Sequence, residues 1–339
     1  MSVRIGLVGA GIMGADHARI VAEELPGAVL QVICDASPDR AQALAEAWGA
    51  ADAVTDPAAL VLRQDVDAVI VASPDFTHAP LSMACIAAGK PVLCEKPLSP
   101  ESNDCLRVIE AETASGRQWV QVGFMRRYDQ SYAEMKAALA SGVLGRAVMM
   151  HNFHRNVENP VAGFTADMAI TNSAPHEFDV ARHVLDTDYS TITAFTPKDA
   201  GGKVGPVVMV LETAGGQLVT IEINNNAAYG YDVRGELVGE KGAISLNAPL
   251  HTRLDLGLQQ VTTYAADWRP RFGEAYRRQD RAFVDFVQTG RFPQDAASAW
   301  DGYAASVVAE AGVRSLREGG RAPVAMIDQP ALYASNGKA

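Results

Sequence analysis

Short apolar runs alternate with helical patterns in the first third of the chain. The runs predict strands at residues 3–8, 30–34, 66–72, 92–94 and 119–123. Helical patterns predict helices at residues 13–24, 37–48 and 79–88, with another after Ser99-Pro100. Most of these strands are apolar throughout, which is typical of a parallel sheet covered on both faces. The first part of the chain is therefore predicted to be a doubly wound α/β domain.

The pattern changes after Phe124, where we place a domain boundary. Helices are predicted at residues 130–140, 174–185, 272–288 and 296–317, and the tail 335–339 is expected to fray. A strand is predicted at 147–153, and apolar and polar residues then alternate at 191–195, 207–211, 218–223, 233–238 and 253–256. This alternation predicts a half-buried antiparallel sheet. We therefore expect an α/β domain at 1–124 and an α+β domain at 125–339.

The composition is that of an ordinary soluble globular protein. The chain has 339 residues, enough for two domains, with 48% hydrophobic and 20% charged residues. Its formal net charge of -11 argues against a nucleic-acid partner, because domains that bind phosphate backbones usually carry a basic patch. A small-molecule ligand is therefore expected.

The cysteines and the first residues both favour the cytoplasm. The four cysteines show no Cys-x-x-Cys spacing and lie in or beside apolar stretches, as reduced thiols do: Cys34, Cys85, Cys94 and Cys105. The start lacks the pattern of a signal peptide, and no stretch reaches membrane-spanning length. We expect a cytoplasmic protein with no membrane partner and no metal site.

A glycine-rich turn follows the first strand and opens the first helix. It reads Gly9-Ala10-Gly11-Ile12-Met13-Gly14. In this context the first glycine permits a tight turn, the second lets the backbone approach a pyrophosphate, and the third allows close helix packing. The alternative is a tight turn without a ligand. We favour a dinucleotide site that includes Ile12 and Met13.

Asp35 ends the second strand, about twenty residues beyond the last glycine. A carboxylate there can accept hydrogen bonds from the adenosine ribose and would repel a ribose phosphate, which favours NAD over NADP. Ser37 and Arg40 lie nearby and could partly accommodate a phosphate. The alternative for Asp35 is a helix cap, although Ser37 is itself a competent cap.

Two further segments end strands at the same edge of the predicted sheet. Ser73 and Pro74 are expected along the nicotinamide ribose of the cofactor. His78 is a candidate for the same site, although we favour a structural role in which it bonds a carbonyl or caps the next helix. These positions complete the expected cofactor contacts together with Glu95 and Lys96.

Lys96 closes the apolar run at 92–94 in the tripeptide Glu95-Lys96-Pro97. A lysine is costly inside an apolar strand, but at the carboxyl edge of a parallel sheet it faces the crevice where ligands bind. The alternative is a surface lysine paired with Glu95. The Lys96–Pro97 peptide is a candidate for the cis form, whose cost is low only before proline. We favour a lysine that donates a proton to an oxygen or accepts one.

His176 lies near the start of the helix predicted from residue 174, in the segment 171–179. Ser173 is a candidate cap for this helix, with Pro175 in its first turn. Asn172 and His176 are four residues apart, so both could reach one site from adjoining turns. A histidine in such a place is more often structural, and the catalytic interpretation depends on the family resemblance.

The chain resembles the glucose-fructose oxidoreductase/inositol dehydrogenase/rhizopine-catabolism (Gfo/Idh/MocA) family, and within it the inositol 2-dehydrogenases. The matching motifs are the glycine loop and the segments 94–97, 123–129, 154–156, 176–179, 229–232, 267–268 and 271–272. The resemblance implies an N-terminal Rossmann domain and a C-terminal domain with a large, mostly antiparallel open sheet. It also implies homo-tetramers or dimers through that sheet, and NAD-linked oxidation of a ring hydroxyl.

The resemblance assigns roles to particular residues. Family members place a lysine, a histidine and an aspartate around the reacting alcohol; Lys96 and His176 match, but Asn172 stands where the aspartate is expected. Asparagine can hold a hydroxyl or a histidine but cannot supply charge. Asp179 or Asp167 could compensate for the missing carboxylate.

The resemblance also assigns side chains to the substrate hydroxyls: Arg127, His154, Asn156 and Tyr229, with Tyr231 a weaker choice. Each has an alternative. The two arginines at 126 and 127 could be a solvated pair, the two tyrosines could pack on the sheet, and His154 could lie in an interface.

The expected function is therefore oxidation of a cyclic polyol, myo-inositol or scyllo-inositol, to a ketone with NAD. One alternative is a dehydrogenase or reductase for a pyranose sugar such as glucose or galactose. An alternative from another class is a regulator that senses the NAD/NADH ratio without chemistry, against which Lys96 and His176 argue.

Overall fold

The computed structural model describes residues 2–158, 163–198, 204–247 and 254–334. These residues form two compact units. The first contains the described parts of residues 1–128, 275–306 and 327–339, and the second contains those of 129–274 and 307–326. The tail 335–339, expected to fray, lies outside the described residues.

The first unit is built on a six-stranded sheet whose pairings are all parallel. Its strands are β1 (Val3–Val8), β2 (Ala28–Cys34), β3 (Asp52–Val54), β4 (Ala68–Val71), β5 (Val92–Cys94) and β6 (Val120–Val122). They lie in the order β3-β2-β1-β4-β5-β6. The order reverses between β1 and β4, and ligands bind at such switch points, beyond the carboxyl ends of the strands. The predicted parallel α/β sheet is confirmed.

Helices connect these strands. They are α1 (Ile12–Glu24), α2 (Pro38–Trp48), α3 (Pro57–Leu62), α4 (His78–Ala87) and α5 (Ser102–Ser115). Helix α2 begins as expected, because the Ser37 side chain caps it and Pro38 occupies its first turn. Neither β3 nor α3 was predicted from the sequence. Helix α3 has only 6 residues and is capped by Asp56, whose carboxylate accepts the Ala58 and Ala59 amides.

The second unit begins with α6 (Gln130–Ala140), β7 (Ala147–Arg155), α7 (Ala166–Met168) and α8 (Pro175–Leu185). Four longer strands and a short one follow: β8 (Tyr189–Phe195), β9 (Val207–Thr213), β10 (Leu218–Asn224), β11 (Asp232–Gly239) and β12 (Ala243–Ser245). Strands β13 (Leu254–Leu256) and β14 (Gln259–Val261) form a separate two-stranded hairpin. The described part of the strand expected at 253–256, residues 254–256, is therefore not part of the large sheet, and residue 253 lies outside the described residues.

The last elements are α9 (Arg269–Thr289), α10 (Ala299–Glu318), β15 (Ala322–Pro323) and α11 (Ala331–Ala334). With β15 the second unit has a seven-stranded sheet in the order β12-β11-β7-β10-β9-β8-β15. Its pairings are antiparallel except that of β10 with β7, which is parallel. The mostly antiparallel sheet is confirmed. Among the described helices, none combines the length and the apolar character that crossing a membrane requires.

Glu112 on α5 is a buried carboxylate that ties down the C-terminal segment of the first unit. It accepts hydrogen bonds from the Trp119 and Val120 amides and, at 2.5 Å, from the Tyr333 hydroxyl. These bonds favour the charged form, but burial outweighs them and raises the pKa of Glu112 to about 7. The carboxyl is therefore partly protonated near neutral pH.

Replacing Glu112 by glutamine is expected to weaken the pH dependence of stability. Below the ordinary glutamate pKa both states of the wild type are protonated. Between that value and about 7 only the unfolded state loses its proton, so stability falls by about 3 kcal/mol as pH rises. Urea unfolding at pH 5 and pH 8 measures this loss. Equal pH dependence in E112Q and wild type would contradict the assignment.

Candidate active site

The glycine loop has the close backbone contacts that its sequence predicts. Gly9 has a φ of +103°, and a Cβ there would lie 2.4 Å from the Ala72 carbonyl oxygen. A Cβ at Gly14 would lie 1.8 Å from the Gly9 carbonyl oxygen. At Gly11, by contrast, a Cβ would have no described neighbour within 4 Å. Gly9 and Gly14 make the close contacts of the turn, whereas Gly11 faces open space, as a phosphate-binding loop requires.

Asp35 lies just beyond the carboxyl end of β2 and is held in place from three sides. Its carboxylate accepts the Ala10 amide at 2.8 Å, the Ser37 amide at 2.8 Å and Arg40 Nη2 at 2.7 Å. Burial disfavours the charge, but these hydrogen bonds outweigh it and hold the pKa of Asp35 below its usual value. An ionised carboxylate beside the glycine loop fits the ribose of NAD.

Replacing Asp35 by serine is expected to relax the preference for NAD. Loss of the charged acceptor should raise KM for NAD by about tenfold. Removal of the charge also frees Arg40, so kcat/KM with NADP should rise by about tenfold. Steady-state kinetics with both cofactors measure the change, and adding Arg40→Ala should abolish the gain with NADP. An unchanged cofactor ratio in D35S would contradict the role of Asp35.

His78 connects the segments that follow β4 and β5. Its Nδ1 lies 2.6 Å from the Pro97 carbonyl oxygen, and its Nε2 lies 2.8 Å from that of Ser73. The expected carbonyl contact is therefore confirmed. Burial opposes a charged ring, but Cys94 and the Pro97 carbonyl outweigh burial and raise the pKa of His78 to about 10. The imidazolium can donate to both carbonyls at once.

Lys96 follows β5 directly and is half-buried within a run of buried residues. The Lys96–Pro97 peptide is cis, as the sequence suggested. The Lys96 amide donates to Glu95 Oε2 at 3.2 Å, and the Glu95 amide donates to the Val71 carbonyl at 2.8 Å. The lysine therefore stands at the carboxyl edge of the parallel sheet, next to the switch point of the first unit.

In the second unit, Asn172 and His176 lie on consecutive helical segments. Residues 169–173 form a π-helical segment between α7 and α8, with Asn172 in it, and buried His176 lies on α8. The Asn172 amide oxygen accepts the Thr171 hydroxyl at 2.7 Å. Pro175 occupies the first turn as expected, but the Ser173 cap was wrong. The chain is already helical before Ala174, so Ser173 instead contacts Asn225.

A polar network surrounds His154 at the end of β7. His154 Nδ1 lies 3.2 Å from Glu177 Oε2, and both side chains are buried. On the other side of the ring, Asn156 Nδ2 lies 3.4 Å from His154 Nε2 and donates to Asn225 Oδ1 at 2.6 Å. Through Asn225 the network reaches Ser173, beside Asn172. His154 and Asn156 therefore share one hydrogen-bonded cluster with the segment that carries Asn172 and His176.

Glu177 and Asn225 were not among the predicted site residues. Glu177 is adjacent to His176, and its 0% exposure marks a carboxylate that needs a partner. The sequence did contain an indication for Glu177, because this acidic residue directly follows His176 in a helix with a strongly apolar face. Of the carboxylates that were considered, Asp167 pairs with Arg317 at 2.9 Å, and Asp179 is buried on α8. Compensation by either one stays a prediction.

Arg126 and Arg127 are both buried, so the alternative of a solvated arginine pair was wrong. Arg127 Nη2 lies 2.9 Å from Asp301 Oδ1, and its Nη1 lies 3.4 Å from the Ala296 carbonyl oxygen. The guanidinium is thus held in the first unit by a carboxylate on α10. A contact between Arg127 and substrate stays a prediction.

The two tyrosines of the segment 229–232 differ in environment. Tyr229 is exposed; its hydroxyl donates to Asp232 at 2.8 Å and accepts from Arg155 at 3.0 Å. Tyr231 is buried, with its ring edge-on to the rings of His154 and Phe272. Tyr231 therefore packs beside the His154 network, and hydroxyl contacts from either tyrosine stay predictions.

The described residues contain no group of three or more His, Cys, Asp or Glu side chains placed to hold a metal ion. The first unit contains the glycine loop with open space at Gly11, the Asp35 carboxylate and Lys96. The second unit contains the hydrogen-bonded network around His154.

Comparison with known proteins agrees with this geometry. A family model described as an oxidoreductase family with an NAD-binding Rossmann fold matches residues 3–124, and the GFO/IDH/MocA C-terminal domain matches residues 132–245. The chain is 49% identical to an inositol 2-dehydrogenase of Saccharopolyspora erythraea, over 98% of this chain and 99% of that protein. It is 42% identical to one of Streptomyces avermitilis, over 98% and 97%.

A solved structure is similar over the same length. The myo-inositol dehydrogenase of Lactobacillus casei, in complex with NAD(H) and myo-inositol, gives a TM-score of 0.93 at 30% identity, covering 98% of this chain and 100% of that one. Fold, motifs and relatives agree: the chain belongs to the GFO/IDH/MocA family of oxidoreductases, with an NAD-binding Rossmann domain at its N-terminal end.

Proposed function

We propose that this protein oxidises a ring hydroxyl of a cyclic polyol, myo-inositol or scyllo-inositol, to the ketone with NAD. The observation that carries the proposal is the 49% identity to a protein named inositol 2-dehydrogenase over 98% of this chain. The similar Lactobacillus casei structure contains NAD(H) and myo-inositol. Lys96 and His176, the two side chains that this chemistry needs, are present here.

Two side chains have different roles in the reaction of the alcohol. His176 accepts the hydroxyl proton, and the Lys96 ammonium stabilises the negative charge that develops on the oxygen. Bound NAD would supply the acceptor for the hydride that leaves the ring carbon. The glycine loop and Asp35 hold the cofactor, while Ser73, Pro74 and Glu95 lie along the segments that end β4 and β5.

A ring polyol carries many hydroxyls and little apolar surface, so its site must replace many hydrogen bonds to water. The network of the second unit offers suitable groups in His154 and Asn156, next to the segment that carries Asn172. Glu177 orients His154 through its 3.2 Å contact. A carboxylate beside a buried imidazole ring can fix the orientation of the ring and stabilise its protonated form, as it does for many functional histidines.

A substrate panel tests the proposal. Purified protein is assayed for NAD reduction with myo-inositol, scyllo-inositol, glucose and galactose. We expect kcat/KM for one inositol isomer to exceed that for both sugars by about tenfold or more. Equal activity on all four would undermine the inositol assignment, and higher activity on glucose or galactose would favour a pyranose dehydrogenase. NAD binding by calorimetry without turnover of any substrate would favour a regulator.

We also propose that the chain forms a homo-oligomer, a dimer or tetramer, through the large sheet of the second unit. Exposed apolar side chains support this on the face of the sheet that points away from its core: Phe195, Val208 and Leu218. Light scattering after size exclusion measures the mass.

A cytoplasmic location is supported by four buried cysteines that remain thiols.

A further inference from the structure

We propose that a buried cluster of His17, Glu95 and Asp280 positions Lys96 for catalysis. This inference rests on the proposed function, because it assigns Lys96 to the reaction. All three residues belong to the first unit. They come from three separate elements: helix α1, the end of β5 and helix α9. The sequence motifs do not include His17 or Asp280.

The cluster is a histidine between two carboxylates. His17 Nδ1 lies 2.8 Å from Asp280 Oδ2, and His17 Nε2 lies 3.1 Å from Glu95 Oε1. The side chains of His17 and Asp280 are 1% exposed and that of Glu95 is 5% exposed, so water does not screen the charges. With a carboxylate at each ring nitrogen, the imidazole donates both of its hydrogen bonds.

The two neighbouring carboxylates favour the protonated form of His17. Burial opposes the imidazolium, but the carboxylates of Asp280 and Glu95 outweigh burial and raise the pKa of His17. Burial also raises the pKa of Asp280, which the contact with His17 opposes. Gln279 on the same helix donates to Asp280 Oδ1 at 3.4 Å, and the rings of Tyr276 and His17 pack in a T-shaped arrangement. In some proteins, buried charged groups of this kind fix a single conformation.

Glu95 links the cluster to the backbone of Lys96. One carboxylate oxygen of Glu95 binds His17, while the other accepts the Lys96 amide at 3.2 Å. The backbone of Gly123, on the neighbouring segment, lies close against Glu95, because a Cβ at residue 123 would lie 3.0 Å from Glu95 Cδ. On the far side of Lys96, the Pro97 carbonyl is bound by His78 at 2.6 Å. The residues on both sides of the lysine are thus held by side chains from two helices, His17 of α1 and His78 of α4.

The cluster also connects the lysine to the cofactor-binding loop. Helix α1 begins at Ile12, directly after Gly11, and carries His17 less than two turns further on. The helix that the glycine loop opens is therefore hydrogen-bonded to the residue preceding Lys96. Because a misplacement of about 1 Å can cost about a hundredfold in rate, a fixed spacing between these segments matters for catalysis.

The variants His17→Gln and Asp280→Asn test the cluster, with Glu112→Gln as the control. Glu112 is another buried carboxylate of the first unit, but it binds the Trp119 and Val120 amides and Tyr333 instead. Folding is checked by circular dichroism and thermal unfolding, and kinetics are measured with NAD and the best polyol of the panel.

We expect kcat to fall by about thirtyfold in H17Q and about tenfold in D280N, with KM for NAD within about threefold of wild type. E112Q should keep kcat within about threefold even where its unfolding temperature drops. Asp280→Glu should recover part of the loss. If H17Q does not fold, the isosteric D280N decides. A kcat in folded D280N no lower than in E112Q would overturn the inference.

A second readout needs no substrate and separates this inference from the proposed function. Labelling of Lys96 by trinitrobenzenesulfonate is followed by peptide mass spectrometry in wild type, D280N and E112Q. We expect the labelling rate to change by about fivefold or more in D280N alone. An unchanged rate in D280N would overturn the positioning role. If wild type oxidises no polyol while the labelling rate still changes, the proposed function fails and the cluster's control of Lys96 stands.

Discussion

Replacing Lys96 by methionine is expected to lower kcat/KM for the polyol by about a hundredfold or more, which corresponds to about 2.7 kcal/mol of transition-state stabilisation. Methionine keeps the length and flexibility of the side chain but removes the ammonium. Because the backbone around residue 96 is fixed by Glu95 and by the contact of His78 with Pro97, the substitution should leave the fold unchanged and weaken NAD binding far less than it lowers kcat/KM. Steady-state kinetics and NAD titration measure both.

The control for this prediction is a lysine at the other end of the same strand. Lys90 precedes β5 and donates to the Arg63 carbonyl oxygen at 2.5 Å, at the amino edge of the sheet. Lys90→Met removes an equivalent charge on the edge away from the switch point, so its kcat/KM should stay within about threefold of wild type. If K96M retained activity within about tenfold of wild type, Lys96 would not be the catalytic group.

Replacing His176 by asparagine is expected to reduce kcat by about a hundredfold or more, because the group that accepts the hydroxyl proton is lost. Asparagine can still hold a hydroxyl by hydrogen bonding, so KM for the polyol should change less than kcat. His176 lies on α8, next to Glu177 and the His154 network. Rapid-mixing kinetics would separate the chemical step from product release.

His183 provides the matched control, because it lies two turns further along α8 and contacts Lys136 at 3.1 Å. His183→Asn should leave kcat within about threefold of wild type. A loss of activity of the same size in H176N and H183N would point to damage to the helix and would contradict a specific role for His176.

Local patterns were sufficient to predict most of the fold. Strand β5 and helix α6 have the predicted bounds, because an apolar run and a regular helical pattern define each of them within a few residues. The missed strand β3 has 3 residues and is partly exposed at the edge of the sheet. Few of its side chains are buried, so it leaves little hydrophobic signal.

Contacts between distant segments were not predictable in the same way. The glycine loop and Asp35 form a local pattern, since the loop and the strand end that follows it are close in sequence. His17 and Asp280, by contrast, are 263 residues apart, and neither has a neighbouring residue that marks it as part of a site. The pair of Arg127 with Asp301 is similar, because residues 129–274, most of the second unit, lie between them in the sequence.

Asn172 illustrates how one substitution changes the chemistry of a site. The family resemblance places an aspartate at this position, but the amide here accepts a hydrogen bond from Thr171 and carries no charge. Glu177 is the buried carboxylate in direct contact with a histidine of the same unit, His154. The carboxyl group that takes part in the second unit's network is therefore on α8, beside His154, one residue beyond His176.

Transfer of deuterium from the substrate ring to the cofactor tests the proposed reaction most directly. The protein is incubated with NAD and myo-inositol that carries deuterium at the ring carbon to be oxidised, and the NADH and the cyclic ketone are analysed by mass spectrometry. We expect one deuterium on the nicotinamide and none on the oxidised carbon of the product. NADH without deuterium, or no ketone from any inositol isomer, would contradict the proposed function.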